Sequence, residues 1–209
     1  MKKIHPDQVE SLSLDYGHIS VLASYAASEV YSAFSPYESR AIREVAIEIG
    51  KTSASVGEHV KKLVDCGLLL QVASRKRRSR IEALYAHRAF ESHLPTSGQP
   101  LKFREKYVDR FKGMMRLLDR QHEAMQNAGQ LDPGFYSYFN HQWQNVFLSP
   151  ANAKIIIDRM NEISTLARQL NEGDPERREG KEFVRVSVTT VMIPTQVESR
   201  RRMEKAIKK

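Results

Sequence analysis

The chain has 209 residues with 33 basic and 25 acidic side chains, a net charge of +8 and a pI near 9.6; 41% of it is hydrophobic and 28% charged. That composition belongs to a globular chain rather than a disordered one, and its charge favours a polyanionic partner, either nucleic acid or an acidic membrane surface. A single cysteine, Cys66, excludes an internal disulfide and any multi-thiolate metal site.

The charge is focused. Residues 1–95 hold 13 basic against 11 acidic side chains, yet five of those cations fall within "SRKRRSR", 74–80. The last twelve residues, "ESRRRMEKAIKK", hold six bases against two acids. The opening "MKKIHPDQVESLSLDYG" lacks the apolar stretch of a signal peptide, and no window approaches eighteen apolar residues. A cytoplasmic chain without a membrane span is therefore expected.

In chain order, 18–34 reads as one helix, with Ile19, Leu22, Ala26, Val30 and Ala33 in a stripe. Pro36 breaks the pattern. A short helix over "AIREVAIEIG" follows, with Ile42, Val45, Ala46 and Ile49 inward and Gly50 as terminator. Thr52 is a suitable N-cap for a second helix, 52–65, buried along Val56, Val60, Leu63 and Val64 and stopped at Gly67. "LLLQVA" and "IEALYA" are sized for two strands of a hairpin, which puts the cationic run at its tip.

"HLPTSGQP", 93–100, has the composition of a linker, so a domain boundary is expected at 95/96, giving domains 1–95 and 96–209. Beyond it, Phe103, Tyr107, Phe111, Met114, Leu118 and Met125 mark a long helix. "LDPG", 131–134, is a turn. An aromatic-rich patch contains Phe135, Tyr136, Tyr138, Phe139, His141, Trp143 and Phe147. Such a patch suits a core, and an effector pocket stays open as the other use. Ser149 and Pro150 open a further helix, striped by Ile156, Met160, Ile163, Ala167 and Leu170. "EFVRVSVTTVMIP" reads as a closing strand.

Short helix, turn, capped helix and hairpin is the order of a winged helix-turn-helix. The expected fold class is mainly α with a small β wing (α+β), followed by a helical dimerisation region ending in a strand. A groove-reading helix must enter with small or polar side chains. Thr52, Ser53, Ser55, Gly57, Glu58 and His59 meet that need, with Lys61 and Lys62 placed for phosphates. Gly57 costs its helix about 1 kcal/mol against alanine, a cost that either close DNA approach or helix–helix crowding would explain. At the tip, Arg75, Lys76, Arg77, Arg78 and Arg80 are candidate phosphate contacts. The other reading of the lysines is a solvated helix face, and of the cationic run a solubilising loop.

The stretch "AIREVAIEIGKTSASVGEHVKKLVDCGLLLQVASRKRRSRIEALYA" resembles the winged-helix domain of ArsR-like bacterial transcription regulators, over roughly residues 20–90. The resemblance implies a homodimer on a near-palindromic operator of double-stranded DNA, more readily a repressor than an activator. Two departures stand out: Gly57 and Glu58 occupy positions where members often carry a serine followed by a long polar or basic residue, and the thiolate motif of metal-sensing members is absent. Cys66 is read as packing.

The seven histidines show no ligand spacing, so no metal or other cofactor is expected. "GDPERREGK" departs from a phosphate loop in glycine spacing and in Glu182 after the lysine. No catalytic set is present, and the expectation is a DNA-binding regulator, not an enzyme, with any small-molecule effector unidentified. The alternative is a winged helix that contacts RNA or a protein without specific DNA readout.

Overall fold

A computed structural model describes residues 3–95, 100–129, 146–171, 186 and 188–193. Among the described residues the architecture is α+β: six helices and a small antiparallel sheet, with a separate two-stranded parallel pair. Two compact units partition the chain, Met1–Ser137 with Gly173–Glu179 and Tyr138–Glu172 with Gly180–Lys209. No helix among the described residues is long and apolar enough to cross a membrane.

The first unit begins with β1 (Val9–Ser13), α1 (Tyr16–Leu22) and α2 (Tyr25–Ala33). The single helix expected over 18–34 is thus two. Ser24 adopts an extended backbone, φ −73 and ψ 119, and the Ser28 hydroxyl donates at 2.6 Å to the Leu22 carbonyl that the break leaves over. The interruption shifts the buried register by one residue, so Ala27 and not Ala26 joins Ile19, Leu22, Val30 and Ala33 inside.

Next come β2 (Arg40–Ala41), α3 (Ile42–Glu48) and α4 (Ser53–Asp65), then β3 (Leu69–Arg77), β4 (Arg80–His87), β5 (Ala89–His93) and α5 (Leu101–Gly129). Gly50 and Gly67 end α3 and α4 in the left-handed region, φ +65 and +80, where a Cβ would be strained. The core joins α1 to α5 through Ile19, Leu22, Val30, Val45, Val56, Val60, Leu63 and Phe103. Each such side chain contributes about 1.5–3 kcal/mol by leaving water. The Cys66 thiol donates to the Leu63 carbonyl at 3.4 Å, and burial pushes its pKa up, as suits packing.

The expected boundary at 95/96 does not divide this unit, because α5 packs on α1 and α2. Gly113 of α5 is buried, and a Cβ there would lie 3.8 Å from the Tyr25 Cα. Arg120 stacks on the Tyr25 ring, 4.6 Å from its centroid. The expected linker also begins one residue late, since His93 still belongs to β5, paired in parallel with Ser13.

Long-range ties are polar as well as apolar. Gln8 is fully buried and spends both ends of its amide: Oε1 accepts from the Ile4 and His5 amides, and Nε2 donates to the Pro36 and His87 carbonyls at 2.9 Å. Glu29 of α2 accepts from the Tyr25 hydroxyl at 3.1 Å and stands 3.1 Å from Lys51 Nζ and 3.9 Å from Arg120. It thereby joins α5 to the residue preceding the cap of α4.

In the second unit, Ser149 caps α6 (Pro150–Gln169), its hydroxyl accepting from the Asn152 amide at 3.1 Å. No residue of α6 is buried; Ile155, Ile156, Ile157, Ile163, Leu166 and Leu170 are exposed. The closing strand expected over 182–194 is not formed by its described residues, Val186 and 188–193, which have no regular structure. β-Branched residues make a strand only where a partner strand is present to pair with. Phe147 is 91% exposed and so is not core. The rest of the aromatic patch, the 131–134 turn and the basic tail from Arg200 lie outside the described residues.

The His87 ring stacks on Tyr31, centroids 4.1 Å apart and 6° from parallel, with Nε2 2.8 Å from the Tyr31 carbonyl. Burial pushes its pKa down to about 4, outweighing the Tyr31 carbonyl, which favours the charged form. An unfolded chain takes up this proton near pH 6.5 and the folded one only near 4, so stability present above pH 6.5 is lost as the pH falls. The expected loss across that window is about 3 kcal/mol from this ring. Urea denaturation at pH 7, 5.5 and 4.5 measures it, and His87→Gln is expected to flatten the dependence.

Candidate nucleic-acid interface

The α4 helix starts where the Thr52 hydroxyl accepts from the Ser55 amide at 3.2 Å. Its leading end is open: Thr52, Ser53, Ala54 and Glu58 are exposed, as are Lys61 and Lys62 further along. No bulky side chain stands in the first turn. Ser55, Gly57 and His59, also expected in the groove-facing set, are half-buried on the flank beside Val56 and Val60.

His59 departs from an ordinary surface imidazole. Burial lowers its pKa, Lys62 adds to the effect, and its buried Nδ1 has no hydrogen-bond partner among the described residues. The ring is therefore held neutral at pH 7. Gly57 is not forced by crowding, because a Cβ there would lie 3.9 Å from Ile42 Cδ1, an ordinary contact. That removes helix–helix crowding as the explanation for the glycine.

The hairpin carries its strands further than expected. β3 and β4 pair up to Arg77 opposite Arg80, leaving a two-residue turn, Arg78 and Ser79. Arg75, Lys76, Arg77 and Arg80 therefore sit in the ladder, not beyond it. Lys76, Arg77, Arg78 and Arg80 are exposed, and none forms an ion pair among the described residues. Two features make this tip costly. Like charges face each other at Arg77 and Arg80, and Arg78 holds φ +52, which costs a non-glycine residue about 1–2 kcal/mol.

Arg75 is different and corrects the expected set. Opposite Glu82 in the ladder, its Nε and Nη2 donate to Glu82 Oε2 at 3.0 and 2.9 Å, and Nη2 also donates to Glu44 Oε1 of α3. Glu44 in turn accepts from the Ala41 amide at 2.8 Å, closing the first turn of α3. Burial opposes ionisation of Glu44, but the Ala41 amide and the Arg75 guanidinium outweigh it and hold the carboxyl below its ordinary range. Arg43 adds a 3.9 Å approach to Glu82. The guanidinium is thus a latch between hairpin and α3, and α3 packs on α4.

Glu44 and Glu82 belong to this surface, although neither stood out in the sequence. A two-residue turn at 78–79 fixes 75 opposite 82, so counting outward from "RS" would have found one of them. Glu44 holds the third position after Ala41, but the missing Ser, Thr, Asp or Asn at the cap hides it.

No protein-family model matches the chain, and no curated protein does.

Two outcomes follow for this surface. Arg75→Ala is expected to raise amide exchange across 74–82 with helix content unchanged, whereas Lys76→Ala leaves exchange as it was; hydrogen-exchange mass spectrometry compares them. Gly57→Ala is expected to stabilise the fold by about 1 kcal/mol in chemical denaturation, since the methyl has room.

Proposed function

We propose that this chain is a winged helix-turn-helix regulator that binds duplex DNA as a homodimer, with α4 entering the major groove and the hairpin on the backbone or minor groove. The observation that carries the reading is the exposed quartet Lys76, Arg77, Arg78 and Arg80, without an ion pair among the described residues, on a hairpin latched to the helix that packs on α4. A tip that tolerates facing arginines and a left-handed arginine keeps cations at the expense of stability, which suits contact with a polyanion.

The open front of α4 supports groove entry, with Ser53 and Glu58 able to meet base edges and Lys61 and Lys62 to meet phosphates. The exposed apolar side chains of α6, Ile156, Ile163 and Leu166 among them, suit pairing with a second copy, and twofold operators call for twofold readers.

The test is binding of full-length protein to genomic duplexes, followed by salt titration on the site recovered. Replacing Lys76, Arg77 and Arg78 with alanine is expected to weaken every duplex and flatten the slope of log K against log salt by about 0.9 for each phosphate no longer neutralised. Ser53→Ala is expected instead to change which sequence is preferred. Equal effects of both changes on all sequences would overturn groove reading by α4.

A further inference from the structure

An open, shallow groove of about 460 Å³ lies between the α1–α2 junction and α5, lined by Ser20, Ala23, Ser24, Lys106, Asp109, Lys112 and Arg116. Its four charged residues follow at intervals of three, three and four, so they share one face of α5. Asp109 faces two lysines loosely, 3.9 Å from Lys106 Nζ and 4.0 Å from Lys112 Nζ. Arg116 has no ion pair among the described residues. The lining therefore holds three cations against one acid, with two serines beside them.

We propose that this groove binds a small phosphorylated molecule as an effector. Lys106, Lys112 and Arg116 would take the phosphate oxygens in charge-assisted hydrogen bonds, with Ser20 and Ser24 as neutral donors. A duplex backbone is the poorer occupant, because Asp109 stands among the cations here, whereas the hairpin run 74–80 carries no acid. Asp109 restrains the site by competing for the two lysines. Only the word effector rests on the regulator reading; binding itself does not.

Inorganic phosphate is the probe, added to full-length protein and compared with sodium chloride at equal ionic strength by thermal unfolding. A saturable rise in the midpoint with phosphate alone is expected. The rise should disappear in the K112A/R116A double variant, persist in the K76A/R77A/R78A variant, and half-saturate at severalfold lower phosphate in Asp109→Asn. All of these positions are exposed, so the variants are expected to keep the unliganded midpoint of the parent. An equal rise with chloride, or a rise retained in K112A/R116A, would overturn the site. A second arm measures duplex affinity of K112A/R116A without phosphate. No more than about a twofold change is expected, and a weakening that matches the hairpin variant would make the groove a DNA-binding surface instead. If no duplex is bound by any form of the protein, the phosphate arm still reads, so failure of one proposal is separate from failure of the other.

Discussion

One guanidinium held by two carboxylates sets the geometry on which the rest of the surface depends. Arg75 reaches from the ladder of the hairpin to Glu82 on the neighbouring strand and to Glu44 on α3. Glu44 is meanwhile occupied with the Ala41 amide at the start of that helix. A two-stranded ribbon alone is marginally stable and free to swing. Anchored in this way, and extended by β2 on its other edge, it becomes a fixed neighbour of α3. The same interaction sorts the cations. The one nearest the body of the protein is consumed by structure, and those beyond it remain available to a partner.

A second set of ties brings distant parts of the first unit to a common frame. Gln8 secures the N-terminal arm to the loop at Pro36 and the end of β4, and the stack of His87 on Tyr31 joins β4 to α2. Glu29 stands between Lys51 and Arg120, so that the start of α4 and the middle of α5 answer to one carboxylate on α2. Buried polar groups of this kind are costly unless satisfied, and satisfied ones fix a single arrangement. The groove beside Lys112 and Arg116 is tied to this frame through α5, the helix that also carries Arg120.

Much of this was legible in the amino-acid order wherever the determinants are local. Thr52 as a cap, Gly50 and Gly67 as terminators, and the stripe through Val56, Val60 and Leu63 each follow from a handful of neighbouring residues. What escaped depends on packing between remote segments. The parallel pairing of β1 with β5 joins Val9 to Ala89 and leaves no turn between them to advertise it. The break at Ser24 shows no proline or glycine, and only the buried register of Ala27 betrays it. Counting cations in "SRKRRSR" could not separate Arg75 from Arg77, because the difference lies in two acids, one of them 31 positions away. The described residues of the strand expected near the C-terminus have no regular structure, and among the described residues no strand pairs with them.

Arg78 illustrates how charge and robustness pull apart in such a turn. Its left-handed backbone is one that glycine or asparagine adopts with less strain, so either would relax the hairpin and remove a charge in the same step. A screen that rewards heat resistance alone would drift towards those residues. Proteins recovered from it would be hardier and would carry one charge fewer at the apex of the ribbon.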